Sequence, residues 1–167
     1  MEKVHFIKTE NIIEKIEALF VAEKQRLMEV LPGTDIQHIG GTAVASLVTK
    51  GDLDINVRVE AKDFKKATEI LTGLYEINQP DNWSDCFASF KDDSRDLGIQ
   101  LTVIGSKDDH FIFQRDYLRS HPEKVLELNF LKEEFEGKTM DEYRKKKGEF
   151  FQKLNSQILD SDPHASA

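Results

Sequence analysis

The chain has 167 residues, 39% of them hydrophobic and 32% charged, with a net charge of −8. Those proportions suit one globular domain with its own core and argue against disorder. The acidic balance has the wrong sign for non-specific nucleic-acid binding, so no nucleic-acid partner is expected, although a local basic patch is compatible with it; no apolar run approaches the roughly 20 residues of a membrane span, so no membrane partner is expected either.

The first five residues lack the apolar core of a secretory signal. A single cysteine, Cys86, excludes an internal disulfide and suits a thiol in a reducing compartment, so the expected location is cytoplasmic. From residue 9 to 30 the apolar positions Ile12, Ile13, Ile16, Leu19, Phe20, Leu27 and Val30 recur at helical spacing, and Pro32-Gly33 ends the element. A strand is expected over Asp35 to Ile39, then a turn at Gly40-Gly41-Thr42. Ala43 to Val48 reads as one or two helical turns. Leu53 to Val59 alternates Leu53, Ile55, Val57 and Val59 on one side with Asp54, Asn56 and Arg58 on the other, the period of a half-buried strand. That period places Asp52, Asp54 and Asn56 together on the exposed face.

A second helix is expected over Lys62 to Leu74. Two strands follow, at Cys86 to Phe90 and Leu97 to Ile104, joined by a charged hairpin loop at residues 91 to 96. From Phe111 to about Leu159 the pattern is helical, with breaks near His121-Pro122 and Gly137-Lys138-Thr139. The expected architecture is one α/β (α+β) domain over residues 1–160. A mixed sheet of about five strands occupies 1–108, and a helical third occupies 109–160. Residues 161–167 read as a frayed tail.

Two segments carry chemistry. Gly40 and Gly41 let the backbone approach a phosphate closely and aim amides at its oxygens, and Thr42 adds a hydroxyl. Asp52 and Asp54 lie on one strand face with side chains about 6 to 7 Å apart, suited to one hard cation such as Mg²⁺ or Mn²⁺. Either signal alone is weak, since a Gly-Gly pair is commonly a tight turn and an Asp-x-Asp pair a polar strand face. In tandem they point to a triphosphate and its metal ion.

The order of glycine turn and then Asp-x-Asp on the next strand resembles the nucleotidyltransferase superfamily, the polymerase-β-like fold. More closely, the chain resembles the GrpB family within it. The matching segments are His38 to Val44, Lys50 to Val57, Phe113-Gln114-Arg115-Asp116-Tyr117-Leu118-Arg119, His121-Pro122, Leu131-Lys132, and Tyr143 to Lys147 with Phe150. The resemblance implies a nucleotidyltransferase-like sheet flanked by helices and a nucleoside triphosphate as substrate. It implies Asp52 and Asp54 as catalytic carboxylates and metal ligands. Lys50, Arg115, Arg119, Lys132 and Lys147 become candidates to meet the phosphates, the alternative for each being a surface ion pair or a solvated run.

Three departures matter. Gly41 stands where the family commonly has serine. Asp54 alone aligns with the family acid, so Asp52 restores the broader superfamily pair. Gln100 stands where the superfamily has a third carboxylate, a neutral third ligand that cannot deprotonate an attacking hydroxyl. Asp96 or Glu60 are alternatives for that acid. His38 reads as a structural histidine before a catalytic one, and Trp83, Phe87 and Phe90 as core aromatics before a stacking platform. Three functions follow: a Mg²⁺-dependent nucleotidyltransferase acting on a small-molecule or protein hydroxyl, a catalytically incomplete nucleotide-binding module, and a scaffold for a protein partner. Base, acceptor and oligomeric state stay open among them.

Overall fold

A computed structural model describes residues 1–161. The elements in chain order are β1 (Ile7–Lys8), α1 (Ile13–Val30), β2 (Asp35–Ile39), β3 (Val48–Thr49), β4 (Leu53–Val59), α2 (Phe64–Thr72), β5 (Glu76–Ile77), β6 (Phe87–Asp92), β7 (Leu97–Val103), α3 (Phe111–Ser120), α4 (Pro122–Glu134) and α5 (Met140–Ser161). Five strands form a mixed sheet in the order β2-β4-β7-β6-β5, in which only the β4–β7 pair is parallel. A two-stranded ladder, β1 with β3, stands beside it. The expected tail falls outside the described residues except for Ser161, which still belongs to α5.

The alternation along β4 fixes the layers. Leu53, Ile55, Val57 and Val59 point to one side, none more than 6% exposed, and pack with Ile99, Leu101 and Phe90 against Ile16 and Leu27 of α1 and Ala67 and Leu71 of α2. Glu23 is buried among these groups. It is held by the Tyr75 hydroxyl and by Arg95, whose Nη1 donates to Glu23 Oε2 at 2.6 Å. A buried charge of this kind persists only when paired.

The opposite sheet face is covered, which corrects the expectation that it is exposed. Leu118, Val125, Leu128, Leu154 and Ile158 of α3–α5 pack with Val44 and Leu47, so the helices stand over the strands that carry the polar side chains. Asn56 is accordingly fully buried. Its Nδ2 donates to Gln100 O at 2.9 Å and to Thr102 Oγ1 at 3.0 Å, while its Oδ1 has no partner among the described residues. Period-two alternation tells which residues share a side and is blind to what later covers that side.

Other expectations shift at the edges. Ala43 to Val48 is not helical. A single 3₁₀ turn covers Gly41–Ala43, and a further turn closed by Leu47 N donating to Val44 O at 3.0 Å leads into β3. The Cys86–Phe90 strand runs instead from Phe87 to Asp92. The N-terminal segment docks on the α4–α5 junction: Val4 N donates to Lys138 O at 3.0 Å and Gly137 N to Val4 O at 2.8 Å, with Val4, Met140 and Tyr143 buried together.

Candidate functional site

Register places the polar side chains in rows. Ile39, Asp54 and Gly98 are cross-strand neighbours, as are Gln37, Asn56, Gln100 and Ser89 one step along. With α3, α4 and α5 above, these rows floor a cleft of about 480 Å³. Gly40, Gly41, Lys50, Asp52, Asp54, Gln100, Arg115, Lys132, Arg144 and Lys147 all line it. The candidates gathered from distant parts of the chain therefore converge.

Asp54 is seated between two glycines. A Cβ built on Gly40 meets Asp54 Oδ2 at 2.7 Å, and one built on Gly98 meets Asp54 Oδ1 at 2.6 Å. Gly40 also has φ +78° and ψ −168°, a region essentially confined to glycine. No described residue hydrogen-bonds to the Asp54 carboxylate, so its lone pairs remain available. Burial, and then the neighbouring Asp52, push its pKa up to about 7, with Lys147, Lys50 and Lys132 opposing. Asp52 lies just ahead of β4 rather than on it. Its carboxylate is about a third exposed and its Oδ2 lies 3.8 Å from Lys50 Nζ.

Lys132, one of the expected cationic candidates, is the most deeply buried of the three lysines. It is 4% exposed, and its Nζ donates to Val48 O at 2.6 Å. The same Nζ lies 3.4 Å from the position a Cβ on Gly41 takes. Burial first, and then Lys147, lower its pKa to about 7. Burial likewise lowers Lys147, with Asp54 opposing. The Lys145-Lys146-Lys147 run splits as its helical phase dictates: Lys147 turns into the cleft, while Lys145 and Lys146 stay exposed.

Thr42 is spent on architecture. It is buried, its hydroxyl donates to Asp52 O at 3.1 Å, and His38 Nε2 bonds the same oxygen at 2.8 Å. Since that hydroxyl is donating, His38 Nε2 carries the proton. Burial, and then Arg119 and Arg115, lower the His38 pKa to about 4 and keep the ring neutral. Arg119 is also occupied, its Nε and Nη2 donating to Ala43 O at 3.0 and 2.7 Å, and it does not line the cleft. Arg115 reaches the cleft while donating to Gln37 Oε1 at 2.8 Å and His38 O at 3.1 Å. Together the two arginines brace β2 and the glycine turn from above.

Gln100 faces the cleft, whereas neither Asp96 nor Glu60 lines it. Gly98 was invisible to sequence reasoning, because its role is set by register with Asp54. Arg144 was also missed, though it lies within the matching Tyr143 to Lys147 segment. Chemically, two carboxylates beside a glycine turn and three lysines can hold a hard cation and an anionic ligand at once. Among the described residues no group of three or more His, Cys, Asp or Glu is placed to hold a metal. A cation here draws the rest of its shell from Gln100, water or a ligand oxygen.

A UPF0157 protein of Vibrio cholerae serotype O1 is 30% identical over 158 residues, covering 93% of this chain and 84% of that one. The crystal structure of conserved protein GrpB from Enterococcus faecalis superposes with a TM-score of 0.73 at 22% identity, covering 87% of this chain and 93% of that one. Cid1, an RNA terminal uridylyl transferase, shares the fold at a TM-score of 0.51 and 11% identity. The match covers 75% of this chain but 40% of Cid1. The family described as GrpB protein matches residues 7–157, and the chain thus belongs to the GrpB family, on a nucleotidyltransferase-like fold.

Proposed function

We infer that this chain binds a nucleoside triphosphate with Mg²⁺ or Mn²⁺ in the cleft and transfers a nucleotidyl group to the hydroxyl of a small-molecule or protein acceptor. The observation that carries the reading is Asp54: a carboxylate fixed between Gly40 and Gly98, with free lone pairs, facing three lysines. Asp52 and Asp54 hold the cation. Bound there, it supplies charge neutralisation for the phosphates and for the developing leaving group. Gly40 and Gly41 give the β- and γ-phosphates close backbone approach. Thr42 acts indirectly, by fixing the carbonyl of Asp52. Lys50, Lys132 and Lys147 lie where charge builds during transfer, and Arg115 stands at the cleft wall with Arg119 behind it. The fold shared with Cid1, which has been solved with MgGTP bound, supports this reading.

One observation favours a second reading. Gln100 occupies the cleft where a third carboxylate is needed to take a proton from the attacking hydroxyl, and an amide cannot do so. A module that binds Mg-nucleotide without turnover fits that residue. Thermal unfolding with each nucleoside triphosphate, with and without Mg²⁺, tests the shared claim, and pyrophosphate release separates the two readings. Saturation at 100-fold over Kd adds about 2.7 kcal/mol of stability. An unchanged melting temperature with all four triphosphates and Mg²⁺ overturns both and leaves the scaffold.

A further inference from the structure

The cleft has two chemically different ends. Asp52, Lys50, Lys132 and Lys147 gather around Asp54 at one end. At the other, over β6 and the start of α3, the lining is Asn78, Gln79, Asn82, Ser89, Phe87 and Phe111, with His110 beside Phe111 and its pKa lowered by burial. Phe87 and Phe111 stack with their centroids 6.3 Å apart, forming an aromatic wall. The Asn78 side chain has no hydrogen-bond partner among the described residues.

The loop that supplies the amides is held in an unfavourable shape. Gln79 adopts φ +44° and ψ +58°, a left-handed conformation uncommon for a side chain of its size, and it does so immediately before Pro80, which disfavours helical conformations of either hand. Its neighbours fix it there. Asn78 O accepts from Trp83 Nε1 at 3.0 Å and from Ser89 Oγ at 2.7 Å, and Asn78 N donates to Ser89 O at 3.0 Å. Asn82 Nδ2 donates to Gln79 Oε1 at 3.0 Å. Strain held in place by surrounding bonds, at the wall of a cleft, is the pattern of a ligand contact rather than of an incidental loop.

Distance decides which part of a ligand reaches it. Strands sit about 4.8 Å apart and rise about 3.3 Å per residue, so Ser89, two strands across and one row along from Asp54, lies about 12 Å away. That is the reach of a nucleotide from its α-phosphate to its base. Nucleobases present paired donors and acceptors on their edges, which side-chain amides match two at a time, and a π-face that stacks on aromatic rings. The geometry points to this amide-lined end, Asn78, Gln79 and Asn82 facing Phe87 and Phe111, as the subsite that recognises the heteroaromatic base of the bound nucleotide. The assignment rests on the nucleotide reading above and deepens it.

Calorimetric titration of the four Mg-nucleoside triphosphates and of Mg-tripolyphosphate, which has no base, tests it on the wild type, Asn78→Ala and Gln79→Gly. The wild type binds its preferred nucleotide about tenfold or more tighter than tripolyphosphate and separates the four bases by a similar factor, the discrimination of one amide pair. Both variants compress that spread and leave tripolyphosphate affinity unchanged. Gln79→Gly also melts no lower than wild type without ligand, since glycine accepts the left-handed conformation freely. Equal affinities for all four nucleotides and for tripolyphosphate in the wild type overturn the subsite and leave the phosphate end standing. A full spread retained in both variants overturns it too. Absence of any binding removes the nucleotide reading itself, and the subsite with it.

Discussion

Substituting Gly98 by alanine tests whether Asp54 is held where a cation needs it. The added Cβ lies 2.6 Å from Asp54 Oδ1, and ordinary contact begins at 3.4 Å, so the carboxylate must retreat by roughly 0.8 Å. The obstructing atom is the far end of a side chain, and rotation of the carboxylate gives most of that room. The backbone is unaffected, because Gly98 lies in regular strand paired with Asp54. Alanine even recovers about 0.5–1 kcal/mol of the entropy a strand glycine loses on folding. The expected protein is therefore as stable as wild type within about 1 kcal/mol, yet unable to present both Asp54 oxygens to the cleft. Displacing a positioned group by about 1 Å costs on the order of 100-fold. Urea unfolding should thus show a stability within about 1 kcal/mol of wild type, while Mg-nucleotide affinity falls about 10- to 100-fold by the same reasoning. Gly40→Ala makes the contrast: it crowds Oδ2 similarly but also forces a glycine-only conformation, costing about 1–3 kcal/mol in addition. Wild-type Mg-nucleotide affinity in Gly98→Ala refutes the claim that Asp54 is the fixed ligand.

Three further outcomes are expected. The Asp54 pKa is raised in the folded protein, so between about pH 4 and pH 7 the native state holds a proton that the unfolded chain has lost, and stability falls as pH rises through that window; Asp54→Asn should raise the melting temperature at pH 8 and leave it unchanged at pH 4, and an equal effect at both refutes the assignment. Arg58 donates to both oxygens of Asp109, at 2.7 and 2.6 Å, and to Asp35 at 2.6 Å, with Asp109 only 1% exposed; Asp109→Ala leaves the guanidinium with Asp35 alone and the Gly105 amide without its acceptor, and should lower unfolding free energy by about 1–3 kcal/mol in urea titration. Thr42→Val removes the acceptor for His38 Nε2 and the tie to Asp52, and should cost about 1–3 kcal/mol of stability as well as weaken Mg²⁺ binding, whereas stability loss alone would show that Asp52 keeps its place unaided.

The local parts of the fold and site were legible because they are written in consecutive residues. The helix breaks at Pro122 and Gly137, the β4 alternation and the β6–β7 hairpin all depend on spacing within about ten positions. Asp54 and Gly40 came from the same kind of pattern. What sequence could not supply is whatever register and helix docking decide. Gly98 matters only because β7 runs parallel to β4 with Gly98 opposite Asp54. Asn56 became buried because α3–α5 cover a face that the strand pattern alone left open to water. Arg119 has the charge and helical phase of a phosphate ligand, yet Ala43 O captures it first. The two-residue strands β1, β3 and β5 are too short to show any period.

The separation in sequence between the sheet and the lysines has a kinetic consequence. Asp54 is made early, but Lys132 and Lys147 ride on α4 and α5, and α4–α5 is in turn anchored by the segment around Val4. Contacts between positions so far apart close late, because chain entropy must be lost before they reward it. During synthesis the chain thus carries Asp52 and Asp54 with only Lys50 beside them until the later helices arrive, and Lys132 and Lys147 meet the carboxylates only in the last assembly step. A refolding experiment should accordingly recover β-sheet signal before it recovers any sensitivity to nucleotide, which makes ligand response a reporter for completion of the fold rather than for its onset.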